Sequence, residues 1–231
     1  LQRHNIPFES AMAKGRNMSM FWHIKSGAET ASRNLALERG EAPDAQGTGM
    51  RNCHLLAIAP NASSSIICGN TSPSIEPYRA NAYTQKTKSG TSLQKNEYLE
   101  DLLRELGMDT DEVWKSIVTN GGSVAHLEFL DDWTKDVFKT AVEIDQRWVI
   151  DMASDRQKHI CQSQSLNVFF PADVSKQELH AVHMMAWKKK VKTLYYLRSE
   201  AYKRAEKVSD EALRQRIFDS MDENECLACE G

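Results

Sequence analysis

Cys53-His54-Leu55-Leu56-Ala57-Ile58-Ala59, followed without a break by Pro60-Asn61-Ala62-Ser63-Ser64-Ser65, is the stretch on which the fold class turns. A continuous apolar run of this length predicts a strand covered on both faces, the pattern of a parallel sheet lying between helices. Before it, Met20, Ile24, Ala28, Ala31 and Leu35 recur at steps of four and three, one face of an amphipathic helix that Gly40 and Pro43 should end. The small, Gly-rich residues 45–51 read as a loop. After it, residues 60–92 are dominated by Ser, Thr, Asn, Gly and Pro and predict a long irregular connection, a kind of segment that more often carries function than not.

Helical signals resume at Asn96, with Leu99, Leu102, Leu103 and Leu106 on one face and Gly107 closing. A second helix is predicted over 111–119, stopped by Asn120-Gly121-Gly122. A longer one is predicted over 134–158, with Val137, Ala141, Ile144, Trp148 and Met152 in register. A short strand is expected next, at 164–169. Ser175-Lys176-Gln177-Glu178 is a capping box opening a helix to about Lys189. Val191-Lys192-Thr193-Leu194-Tyr195-Tyr196 is a third strand. Strands alternating with helices predict an α/β fold with parallel pairing, and three strands alone do not close a barrel.

The chain has 231 residues, 41% hydrophobic and 26% charged, ordinary for a globular protein, with a net charge of −3. An acidic balance argues against nucleic acid as the main partner. No apolar run is long enough to span a bilayer and no leader pattern opens the chain, so a cytoplasmic protein without a membrane role is expected. Leu1 stands where an initiator methionine is usual, which suggests a processed product or a piece of something longer. The five cysteines, at 53, 68, 161, 226 and 229, do not form a disulfide framework. After Arg216 no Lys or Arg occurs while Asp219, Asp222, Glu223, Glu225 and Glu230 accumulate, so residues 205–231 are expected to be a mobile acidic tail on a domain formed by 1–204.

Three constellations carry possible chemistry, each beside a plainer reading. Pro60, Asn61, Ala62, Ser63 and Ser64 form a turn of small hydroxyl residues directly after a buried strand. Such a turn can aim backbone N–H groups at a phosphate, or serve as an ordinary Ser-rich helix cap. The glycines and lysine of a P-loop are missing. Tyr195 and Tyr196 are either two aromatic core residues or a redox relay. In a regular strand they point to opposite faces, one of them into the core. Cys226 and Cys229 form a CxxC within Glu225-Cys226-Leu227-Ala228-Cys229-Glu230. This is half a zinc site only if a second ligand pair lies nearby, and otherwise a dithiol for exchange. The flanking carboxylates should raise both thiol pKa values. A tether of about 25 residues averages roughly 25–30 Å end to end, enough to reach a site in its own domain. His23, His126, His159, His180 and His183 lack a metal-ligand pattern, so no metal is expected in this chain. Lys188-Lys189-Lys190 reads as a solvated helix end, and Met18 and Met20 as core filler.

Taken together, these stretches resemble the C-terminal part of the large subunit of class I ribonucleotide reductase. Met50-Arg51-Asn52, then Ala59 to Ser64, then Ser74-Ile75-Glu76-Pro77-Tyr78 to Ser89-Gly90 are similar to that family's substrate-diphosphate loop and the segment after it. The stretch from Val191 to Tyr196 resembles its radical-transfer strand, and Glu225 to Cys229 its terminal shuttle thiols. Residues 5–43 are similar more loosely. The resemblance implies the C-terminal part of a ten-stranded α/β barrel. Asn61, Ala62, Ser63 and Ser64, after Pro60, would hold the diphosphate of a ribonucleoside diphosphate. Tyr196 would receive an oxidising equivalent from the metal-bearing small subunit and Tyr195 would pass it to a cysteine. Cys226 and Cys229 would re-reduce the active-site disulfide and be recharged by thioredoxin or glutaredoxin.

The family's radical cysteine, its redox pair and its effector-nucleotide site lie upstream of the matched region. Cys53, Cys68 and Cys161 do not occupy those positions and receive no catalytic role. The chain should therefore be inactive without the rest of the large subunit. Split large-subunit genes of phages are one setting for such a chain, with the host cytoplasm as its compartment, and a truncated polypeptide is another. The alternative is a non-catalytic assembly or nucleotide-binding remnant, against which the intact tyrosine pair and terminal dithiol argue.

Overall fold

A computed structural model describes residues 1–61, 64–68, 72–87 and 90–199. Ser10 caps the first helix, α1 (Ala11–Arg39), by accepting from the Ala13 N–H, and Gly40, with φ of +77°, ends it as expected. The predicted face is not the buried one. Ala13, Asn17 and Ser32 are buried, whereas Met20 and Ile24 are 56% and 43% exposed, and Met18 and Met20 are not core filler. The polar face wins because its groups find partners. Asn17 Nδ2 donates to the Met152 carbonyl at 3.0 Å, and Ser32 Oγ accepts from the Asn52 N–H at 3.0 Å.

The expected strand at 53–59 is reduced to one parallel bridge, Ile58 to Gln164, and Leu55 and Leu56 are only half-buried. Among the described residues this segment has a neighbour on one edge alone, so nothing holds a longer ladder. Residues 60–92 are more ordered than their composition suggested. They hold a short helix, α2 (Ser64–Ile67), and most of an antiparallel hairpin, β1 (Ala82–Thr87) with β2 (Gly90–Lys95), paired from Ala82↔Lys95 to Thr87↔Gly90. Its Thr, Lys and Gln residues hid the strands because no apolar alternation marks them. The base of the hairpin is pinned by Asn81, whose Nδ2 donates to the carbonyls of Gly122 (3.0 Å) and Phe138 (2.7 Å).

Helices α3 (Glu97–Glu105) and α4 (Asp111–Thr119) fall where expected, capped by Asn96 and Thr110. The single helix expected over 134–158 is two, α5 (Asp132–Val137) and α6 (Gln146–Gln157). Glu143 accepts from the Thr140 N–H and hydroxyl, both at 2.8 Å, and Asp145 caps α6, so the chain turns between them. Val137, Ala141 and Ile144 are all buried, so their spacing reported burial and not one helix. Ser175 caps α7 (Lys176–Lys188) by accepting from the Glu178 N–H at 3.0 Å.

Strand β3 (Val168–Phe170) is fully buried and pairs in parallel with β4 (Leu197–Ser199). The ladder thus lies just beyond the expected 191–196, which runs beside residues 164–168 by single hydrogen bonds. Segments 56–59, 162–170 and 193–199 lie side by side in that order, all pointing the same way. This is a partial α/β barrel that does not close among the described residues. One core fills the hairpin and α3–α5 around Leu99, Leu103, Trp114 and Ile117. A second joins α6, β3 and α7 around Ile150, Leu166, Phe170 and Val182. No helix among the described residues is long and apolar enough to cross a membrane.

Candidate functional site

The parallel register brings two of the expected constellations to one level, Pro60 at the carboxyl end of its segment and the tyrosines in the middle of theirs. Counting two residues on from the Ile58–Gln164 bridge puts Pro60 level with Leu166. Counting two back from the Val168–Leu197 pair puts Tyr195 level with the same Leu166. Two strand spacings separate them, about 10 Å. A hollow of about 420 Å³ is lined by Ala57, Ile58, Gln164, Thr193, Leu194 and Tyr195 among others, so Tyr195 borders it and Pro60 lies beyond its rim.

Tyr195 and Tyr196 do not divide between core and solvent. Each is 49% exposed, and their rings meet at 4.1 Å between centroids, tilted by 51°. Both the expected opposite orientation and the reading as core aromatics are overturned. The extended backbone is not yet a regular ladder at this point, so strict alternation does not apply. The Arg198 guanidinium sits 4.9 Å from the Tyr196 ring centre, on the same side of the strand as a residue two positions on should be. The neighbouring Tyr196 hydroxyl raises the pKa of the Tyr195 phenol above its ordinary value, keeping its proton in place.

The extended segment that carries them is anchored by hydrogen bonds on its N-terminal side. Lys192 Nζ donates to the carbonyls of Ile160 (3.3 Å), Cys161 (2.7 Å) and Gln162 (3.3 Å), and Thr193 Oγ1 donates to Gln164 O at 3.1 Å. Gln157 accepts from the Lys192 N–H at 2.8 Å.

Next to Pro60, Asn61 begins a helical turn. Its carbonyl accepts from the Ser65 N–H at 2.9 Å, and its side-chain oxygen faces the Ser64 hydroxyl at 3.4 Å. Pro60, Asn61 and Ser64 are exposed. Ala62, Ser63, Cys226 and Cys229 lie outside the described residues, as does all of 205–231.

Cys161, which receives no catalytic role from the sequence, has a distinctive setting. Burial alone would raise its thiol pKa, but the backbone N–H groups of Leu56 (3.2 Å) and Leu55 (3.1 Å) donate to the sulfur and bring it below the ordinary value. It lines a second hollow of about 410 Å³ with Cys53, Lys25 and Lys158. No motif could have found it, because the donors come from a segment over a hundred residues away. Among the described residues no group of three or more His, Cys, Asp or Glu could hold a metal ion.

Against known proteins, the family described as "Ribonucleotide reductase, barrel domain" matches residues 42–197. The ribonucleoside-diphosphate reductase large subunit of Invertebrate iridescent virus 6 is 52% identical over 213 residues, covering 90% of this chain and 22% of that protein. The large subunit of Invertebrate iridescent virus 3 is 45% identical over 234 residues, covering 100% of this chain and 37% of that protein. Among solved structures, the class Id ribonucleotide reductase alpha subunit of Actinobacillus ureae superposes with a TM-score of 0.81 at 42% identity, covering 87% of this chain and 36% of its own. The chain spans less than half the length of these relatives. With the family match running from residue 42 through Pro60, the central segment and the tyrosine pair to residue 197, the chain belongs to the ribonucleotide reductase family, as part of its barrel domain.

Proposed function

We propose that this chain is the C-terminal part of a ribonucleoside-diphosphate reductase large subunit, and that it supplies substrate-diphosphate binding, radical delivery and thiol regeneration. The observation that carries the reading is the half-exposed, ring-to-ring tyrosine pair standing level with the Pro60 turn in the parallel register. Pro60, Asn61, Ala62, Ser63 and Ser64 hold the diphosphate of a ribonucleoside diphosphate through backbone N–H groups and hydroxyls. Tyr196 takes the oxidising equivalent from the metal-bearing small subunit and Tyr195 hands it to a cysteine of the upstream large-subunit region. Each phenol gives up one electron with its proton and recovers both when the equivalent returns. Two rings in contact make that exchange short, and the raised Tyr195 pKa keeps a proton available for it.

In the net reaction the ribose 2′-hydroxyl leaves as water and hydrogen takes its place, while two thiols become a disulfide. Cys226 and Cys229 reduce that disulfide by exchange, and thioredoxin or glutaredoxin reduces them in turn. The radical cysteine, its redox pair and the effector-nucleotide site belong to the upstream region. The chain has no activity without it, and the assembled enzyme works in the cytoplasm.

The test is reconstitution with the upstream region and the small subunit. Cys226→Ser with Cys229→Ser should abolish turnover driven by thioredoxin and spare much of that driven by dithiothreitol, which reaches the internal disulfide directly. Equal loss with both reductants contradicts the shuttle.

A further inference from the structure

Glu76 is 3% exposed, and its carboxylate is spent on one residue of the central strand. Oε1 accepts from the Asn167 backbone N–H at 2.8 Å and Oε2 from Asn167 Nδ2 at 3.1 Å. Burying a carboxylate is costly unless donors and an opposite charge compensate it. Here the two amide donors do so together with Arg156, itself 2% exposed, whose guanidinium interacts favourably with Glu76.

What matters is where the two ends of this contact lead. On one side, the Ser72 hydroxyl donates to the Glu76 carbonyl (3.3 Å) and to that of Ser74 (3.0 Å), and the adjoining Pro73 carbonyl accepts from the Asn61 N–H at 3.1 Å. On the other side, Asn167 lies between the two residues that hold the tyrosines. Leu166 accepts from the Tyr195 N–H at 2.7 Å, and Val168 donates to the Tyr196 carbonyl at 2.9 Å. A path of hydrogen bonds joined by short stretches of main chain thus runs from Asn61 through Glu76 to Tyr195 and Tyr196.

We propose that Glu76 is a positioning residue that couples the turn at Asn61 to the tyrosine-bearing strand, so that a ribonucleoside diphosphate bound at the turn is sensed at the tyrosine pair. This rests on the function proposed above. A displacement of the turn moves the Ser72–Glu76 bend, and the two-point grip on Asn167 passes it to the backbone on either side. The grip also sets the Asn167 amide, because its Oδ1 is buried without a partner among the described residues. A glutamine in place of Glu76 keeps the grip. Asn167 turns its amide over, Oδ1 accepts from the new Nε2, and the N–H of Asn167 keeps its acceptor.

The experiment places 3-fluorotyrosine at position 195 of the reconstituted large subunit and follows its fluorine resonance as a ribonucleoside diphosphate is added, with binding measured separately by equilibrium dialysis. Wild type should bind and shift. Glu76→Ala should lose the shift and, in turnover with the small subunit, raise KM and lower kcat together by roughly ten- to a hundredfold, as small misplacements of reacting groups do. Glu76→Gln, which keeps an acceptor for the Asn167 N–H but gives up the charge facing Arg156, should restore part of both. Ser72→Ala, which cuts the path on the turn side and leaves the buried carboxylate alone, should weaken the shift even if Glu76→Ala fails to fold. Binding with an unchanged shift in Glu76→Ala or in Ser72→Ala overturns the coupling alone. A wild-type protein that binds no ribonucleoside diphosphate overturns the functional reading, and the coupling with it.

Discussion

The backbone N–H of Tyr195 donates to the carbonyl of Leu166 at 2.7 Å, while the Tyr195 ring above that bond is 49% exposed. The tyrosine is held by its main chain, and its phenol is left free for chemistry. Its neighbour Tyr196 is held through its carbonyl, which accepts from the Val168 N–H at 2.9 Å, and is equally exposed. Removing either hydroxyl therefore takes little from the fold. Tyr195→Phe and Tyr196→Phe should each shift stability by less than about 0.5 kcal/mol, as substitutions at exposed sites usually do, which thermal denaturation would read.

Gln146 is the opposite case, a side chain wholly committed to the fold. It is 4% exposed, donates Nε2 to the carbonyls of Ala141 and Ile144 at 2.9 Å each, and accepts the Phe169 N–H at 2.9 Å. It thereby fastens the start of α6 to β3. Gln146→Leu fills the space but strands buried backbone groups, each costing about 1–3 kcal/mol. Urea unfolding should show a loss of about 3 kcal/mol or more.

How far such features could be read from the residues depended on whether their partners were near in sequence. Ser175 and Glu178, or Thr110 and the start of α4, are local contacts, and the helices they open stand where the pattern put them. The face of α1 was misjudged because Asn17 and Ser32 are buried by bonds to Met152 and Asn52, which no helical wheel contains. The hairpin at Ala82 went unseen because its strands are polar and its anchor, Asn81, reaches Gly122 and Phe138. The tyrosine motif was legible as a motif. That the two rings touch was not, because strand alternation predicts the reverse.

Gly122 shows a close approach of the same long-range kind. It sits at φ +85°, and a Cβ there would fall 2.2 Å from the Ala80 Cβ and 2.5 Å from the Ala80 Cα. Its carbonyl also receives both the N–H and the Nδ2 of Asn81 at 3.0 Å. Gly122→Ala adds left-handed backbone strain to a clash with main chain, so a loss of about 2 kcal/mol or more is expected. The hairpin amides should exchange faster with solvent in the variant.

Acid should loosen the joint between α1, α6 and α7. Burial works against the charge on Asp151, but Lys189 (2.7 Å) and Lys14 (3.3 Å) outweigh it, leaving its carboxyl below the ordinary value. A depressed folded-state pKa gives stability that is fully present above the unfolded value, about 3.9, and is lost as pH falls through the folded one. Thermal stability measured from pH 6 down to 3 should drop more steeply in wild type than in Asp151→Asn. The difference between them at pH 6 should be only about 1 kcal/mol, since solvent screens a partly exposed pair. Lys14 is raised for the converse reason, so its share persists below its unfolded value of about 10.4 and fades only at higher pH.

The central claim is that this chain delivers the oxidising equivalent to an active site completed by another region, and turnover of the assembled complex tests it most directly. The chain is combined with the upstream large-subunit region and the small subunit, and deoxyribonucleoside diphosphate is measured with dithiothreitol as reductant. The account predicts product only when all three parts are present, and none with Tyr195→Phe or Tyr196→Phe although the ribonucleoside diphosphate still binds. Undiminished turnover with either phenylalanine variant, or in the absence of this chain, contradicts it and favours a non-catalytic assembly role.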